Sequence, residues 1–147
     1  MRKPACTSEQ KKLVARRAID YIESGMVVGI GSGSTVREFI MALHSVKKDI
    51  LCVPTSIDTE LLLAQLNMPM ISPWSVNKID IAIDGADSVM LDKHIFLKGG
   101  GGALAREKIV DYVAKRLIII VDEAKLDRVV PVVVEVIPFA YRLVYDR

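Results

Sequence analysis

The chain has 147 residues, enough for one domain of common size, with 20 basic and 18 acidic side chains and a net charge of +2. This balance leaves no electrostatic footprint for nucleic acid. No apolar run reaches the ~20 residues of a membrane-spanning helix, and no apolar stretch of the secretory-signal kind follows the first residues. Hydrophobic residues make up 51% and mean hydropathy is +0.32, so a real core can be buried. Cys6 and Cys52 form no disulfide framework and no metal-ligand spacing. Both read as free thiols of a reducing cytoplasm, Cys52 in a buried strand.

In chain order, Thr7 or Ser8 would cap a first helix. Its apolar face is Leu13, Val14, Ala18, Ile19 and Ile22, and Gly25 would close it. Lys11 and Lys12, near its start, read as solvated surface from pattern alone. Residues 26–31 read as a buried strand running into Ser32-Gly33-Ser34-Thr35, followed by a helix over about 36–43. Here the hydroxyls would supply donors and a helix cap. A strand, a glycine turn with hydroxyls and a helix suit phosphate. A dinucleotide fingerprint fails, because Ser34 or Val36 stands where its last glycine belongs, and no Gly-Lys-Ser/Thr triplet makes a P-loop.

Residues 51–54 read as a third strand, with Thr55-Ser56 capping a helix over about 58–66. Met70-Ile71 would be a short strand, and Trp74, the single Trp, a packing residue. Residues 78–83 alternate and read as a strand ending in Asp84-Gly85-Ala86-Asp87. Metal binding and a plain capped turn are both open for that carboxylate pair. Residues 88–96 read as a hairpin, with His94 in its turn, leading into Lys98-Gly99-Gly100-Gly101-Gly102. Four consecutive glycines contribute nothing to packing, so they mark close approach or unusual backbone. A helix over about 103–115 follows and carries Glu107 on its first or second turn. The positive end of that helix, the loop amides, Lys98 and Glu107 would converge on an anionic substrate and move a proton on it. Residues 116–121 read as a strand buried on both faces, ending near Lys125, and residues 129–136 as a further β-branched run broken by Pro131.

Strands alternating with helices predict an α/β domain, a mostly parallel open Rossmann-like sheet flanked by helices. The polar clusters follow predicted strands, so one site along one sheet edge is expected.

Five motifs in order then resemble ribose-5-phosphate isomerase, type A. They are residues 29–35, Pro54-Thr55-Ser56, Asp84-Gly85-Ala86-Asp87, the stretch from Lys98 through Glu107 to Ile109, and Val134-Glu135-Val136-Ile137-Pro138. The resemblance implies a cofactor-free and metal-free interconversion of D-ribose 5-phosphate and D-ribulose 5-phosphate through an enediolate, in the pentose phosphate pathway. It implies Glu107 as general base, with Asp84, Asp87 and Lys98 assisting ring opening and steadying the oxyanion. Lys11, Ser32, Gly33, Ser34, Thr35, Gly85, Ala86, Gly99, Gly100, Gly101 and Lys125 would bind substrate. It also implies a cytoplasmic dimer or tetramer, without nucleic-acid or membrane partners. Ser88 and Met90 depart from acidic residues common in the family. Family members continue past the Val-Ile-Pro motif, so the small α+β subdomain is expected to begin near residue 130 and to be largely missing. The alternatives are a non-catalytic sugar-phosphate-binding module or an inactive truncated isomerase; a dinucleotide-binding domain is disfavoured by the failed fingerprint.

Overall fold

The computed structural model describes residues 8–145. Thr7 and Cys6 lie outside the described residues. Helix α1 (Ser8–Ile19) buries Ala15 and Ala18, whose small side chains let helix α2 (Ser34–Val46) pack along it. The Lys48 ammonium donates to the carbonyls of Ile19 and Ile22, so a cation closes the end of α1. Gly25 stands several residues beyond that end.

Between these helices runs β1 (Val27–Ile30). After α2 come β2 (Leu51–Pro54), α3 (Ile57–Gln65) and β3 (Ile81–Asp84). A hairpin of β4 (Ser88–Met90) and β5 (Ile95–Leu97) then leads to α4 (Leu104–Val113), β6 (Leu117–Ile119) and a short α5 (Tyr141–Tyr145). The main sheet is parallel throughout, in the order β2-β1-β3-β6. Its strands alternate between two cores. Val28, Ile30, Cys52, Ile81 and Ile83 face α1, α2 and α3, while Val53 and Ile79 meet Val110 of α4. This is the expected α/β sandwich. The chain moves from β1 outward to β2, then returns to place β3 on β1's other side. The β1–β3 crevice is therefore the switch point of the sheet, where such folds open a cleft. Burial pushes the Cys52 thiol up to about 12, so it is a core residue with no thiolate chemistry at neutral pH.

Four expectations need correction. Met70 makes only an isolated bridge to Cys52, because one hydrogen-bonded pair is all the chain offers before Pro73. Trp74 is 96% exposed on a one-turn helix and packs in no core. Strand β6 is half-buried rather than buried on both faces, since it is the sheet's edge. Residues 129–136 form no strand. Their β-branched side chains find no ladder partner, and Val129 is 97% exposed. β-propensity without a neighbouring strand satisfies no backbone group. This stretch lies instead beside the hairpin, where Ser88 Oγ donates to the Arg128 carbonyl and Asp127 N–H to that of Val89.

Candidate active site

A cavity of about 340 Å³ opens at the carboxyl ends of β1 and β3. Its wall includes Ser32, Gly33, Ser34 and Thr35 after β1, Gly85, Ala86 and Asp87 after β3, and Lys98, Gly99, Gly100 and Gly101 after β5. Glu107 of α4 and Lys125 line it too. Ser56 and Asp58, at the start of α3, also line it. Ser56 is the N-cap expected, its Oγ accepting from Thr59 N–H at 3.1 Å. Asp58 was not foreseen, for a carboxylate in the first turn of a helix reads as an ordinary dipole partner.

Two predicted residues stand off the wall. Asp84 is wholly buried beneath it, outside the lining. Its Oδ1 accepts from the N–H groups of Ser32 and Gly85, at 3.1 and 2.6 Å. Its Oδ2 lies 2.8 Å from Lys98 Nζ. Lys11 is likewise outside the lining, but its ammonium donates to Ser34 Oγ at 2.9 Å. The solvated reading of Lys11 fails because α1 packs on α2 and brings it to the loop.

Lys98 is the hub. Its ammonium also donates to the Gly85 carbonyl at 2.9 Å and lies 3.4 Å from Glu107 Oε1. Glu107 is 3% exposed and accepts a hydrogen bond from Ser32 Oγ. Its second oxygen, Oε2, has no hydrogen-bond donor among the described residues. One ammonium thus serves two buried carboxylates. Burial pushes the Asp84 carboxyl up, and the Lys98 charge opposes that.

The Asp84-Gly85-Ala86-Asp87 turn ties both glycine loops together. Asp84 holds the Ser32 amide of the first, and Asp87 Oδ2 accepts from Gly100 N–H of the second at 2.9 Å. Gly31 is required by that closeness: a Cβ there would sit 1.9 Å from Asp84 Oδ1. Thr59 Oγ1 fixes the same loop by donating to the Gly31 carbonyl at 2.6 Å.

The helix ends differ from expectation. The N-terminus of α4 is already occupied, since Ala105 N–H donates to Glu135 Oε2 at 2.6 Å. The carboxylate within the Val-Glu-Val-Ile-Pro motif is therefore the cap of the helix carrying Glu107. Helix α2 instead has Gly33, φ +93°, at its N-cap and no side-chain cap, so the expected hydroxyl cap is absent, and its first residues line the cavity. Among the described residues, no three His, Cys, Asp or Glu side chains converge as metal ligands do.

The family model of ribose 5-phosphate isomerase A (phosphoriboisomerase A) matches residues 51–147. The chain belongs to this family. It is 43% identical to ribose-5-phosphate isomerase A of Thermococcus kodakarensis, over 95% of this chain and 64% of that protein. Ribose 5-phosphate isomerase A of Methanocaldococcus jannaschii superposes with a TM-score of 0.85 at 36% identity, over 96% of this chain and 66% of that one. A D-ribose-5-phosphate isomerase in complex with phospho-erythronic acid superposes at 0.89 with 39% identity, over 97% of this chain and 66% of the other. The sequence thus spans a little under two thirds of these isomerases. No helix among the described residues is long and apolar enough to cross a membrane.

Proposed function

We propose that the cavity isomerises D-ribose 5-phosphate and D-ribulose 5-phosphate through an enediolate. One observation carries this reading: Lys98 Nζ sits between the buried carboxylates of Asp84 and Glu107 at the wall of a cavity whose other side is an uncapped helix N-terminus. Family membership and the phospho-erythronic acid complex of a similar isomerase support it.

The substrate phosphate goes to the first amides of α2, with Ser34, Thr35, Lys11 and Lys125 about it. An anion there gains both the dipole and the open N–H groups. The end of α4 is closed to it by Glu135. The sugar's carbonyl end then faces Lys98 and Glu107. Glu107 removes the proton on C2 of the open-chain aldose and returns it to C1, and the proton on O2 passes to O1. Because a carbon acid α to a carbonyl is weak, the barrier is dominated by charge on the enediolate oxygens. Lys98 stabilises that charge; single donors of this kind contribute roughly 3–4 kcal/mol. Asp87, on the wall, serves ring opening, and Asp84 acts through Lys98.

A coupled assay of the purified chain tests the proposal, with Glu107→Gln as its control. The variant should bind substrate and lose roughly 10²–10⁴-fold in kcat. Full activity in Glu107→Gln would end the assignment. Protection of the wild-type chain against heat by substrate, with no turnover, would favour a binding module. An oligomer and a cytoplasmic location complete the proposal. Light scattering that finds only monomer at assay concentration would remove the first of these.

A further inference from the structure

One buried acid has no part in the reaction as proposed. Asp111 lies one turn beyond Glu107 on α4, is 8% exposed, and has an Oδ1 that meets no hydrogen-bond partner among the described residues. Its carboxyl stands against that of Asp84 where α4 packs on β3, and Asp84 Oδ2 likewise meets no hydrogen-bond donor there beyond the Lys98 ammonium. The four-residue spacing puts Asp111 and Glu107 on the same helix face. A second cavity, about 460 Å³, opens on the other side of Lys98, and Asp111 and Lys108 line it. Asp111 therefore packs behind the Asp84–Lys98–Glu107 cluster. The charged groups facing it are Asp84 from β3, Lys98 from the glycine loop and Glu107 from its own helix.

Two carboxyl groups in contact cannot both ionise cheaply; the pair shares one proton. Asp84 has an ammonium at 2.8 Å and two backbone N–H donors, all favouring its charged form. Asp111 is buried as Asp84 is, but its Oδ1 has no donor among the described residues and its neighbours include the carboxylates of Asp84 and Glu107. The proton therefore belongs to Asp111.

We propose that Asp111, as a neutral carboxyl donating to Asp84, is a positioning residue that holds the Asp84–Lys98 pair against Glu107. This rests on the isomerase reading of the same site. Burial, followed by the Asp84 charge, pushes Asp111 up to about 7, so it loses its proton around neutrality. A third negative charge then shares the single Lys98 ammonium. The anionic enediolate faces a more negative wall, and turnover falls. The proton never leaves Asp111 during the reaction, so no bond is made or broken there.

The test is a pH profile of kcat and KM for the wild-type chain, Asp111→Asn and Asp111→Ala. Wild type should show a descending limb in kcat near pH 7. Asp111→Asn keeps a neutral donor, so it should match wild type within about twofold at pH 6 and lack that limb. At about pH 8.5 it should exceed wild type by roughly tenfold, the ratio set by a group titrating one to two pH units lower. Asp111→Ala should lose kcat at every pH with a smaller change in KM. Superimposable profiles for wild type and Asp111→Asn would overturn the proposal. Carboxyl ¹³C NMR of the wild-type chain reads the proton without turnover. A carboxyl titrating near 7, absent from Asp111→Asn, is the expected result, and one titrating near 4 also overturns it. A chain with no turnover but the high-titrating carboxyl would sink the isomerase reading and leave the proton on Asp111.

Discussion

The loop over residues 31–35 leaves a strand in the middle of the parallel sheet, whereas the loop over 98–103 leaves the outer strand of a two-stranded hairpin. Both run into a helix, and both are held by a carboxylate of the same Asp84–Asp87 turn. They differ in what covers the helix end. The first helix starts uncapped toward the cavity, and the second is closed by Glu135. Similar local sequence thus leaves one helix end uncapped at the cavity and ties the other, the start of the helix that carries Glu107, to a carboxylate. The difference lies in a carboxylate 30 residues away in the chain.

Breaking the link between the two loops should have the largest effect. Lys98→Met leaves two buried carboxylates without their shared cation, and stranded buried charge costs about 3–5 kcal/mol. Urea denaturation should show that loss, and activity should be abolished.

The pH dependence of stability follows in size. Asp111 and Asp84 hold their protons more tightly folded than unfolded. The folded state therefore binds more protons, and stability falls as pH rises. The contribution is full below about 4 and is lost as pH climbs through about 7. Melting curves should show wild type losing about 4 kcal/mol across that window relative to Asp111→Asn. A flat difference would count against the shared proton.

Gly31→Ala comes next, because its Cβ would meet Asp84 Oδ1 at 1.9 Å. The sheet cannot yield there, so overpacking should cost about 1–3 kcal/mol and lower kcat as Asp84 is displaced. The second loop should prove more forgiving. Gly100→Ala brings its Cβ to 2.9 Å from Asp87 Oδ2, the mobile tip of a wall residue. It should cost under about 1 kcal/mol while raising KM. Gly101→Ala meets open space and should be neutral or stabilise by about 0.4–1 kcal/mol. A Gly101→Ala loss as large as that of Gly31→Ala would erase the contrast between the loops.

The wall of the site was legible because its residues are costly anywhere else. Consecutive glycines and carboxylates at strand ends have few structural uses, and Lys98 and Glu107 flank them. The alternation of strands and helices likewise announced the parallel sheet. What stayed hidden depends on packing between distant elements. Lys11 reaches Ser34 only because two alanines let α1 lie close on α2. Asp111 looks like a solvated helix acid until β3 is placed beneath it. Glu135 could not be read as a cap, since caps are sought within a few residues of the helix they close. The run at residues 129–136 has the composition of a strand but no partner, and composition cannot supply one.

The position of Trp74 has a practical outcome for anyone following this molecule by light. Its side chain already stands in solvent and is not part of the cavity lining. Tryptophan emission should therefore shift little on denaturation and stay silent when a sugar phosphate arrives. Far-ultraviolet circular dichroism, or a reporter engineered near Ser56, would see what that fluorophore misses.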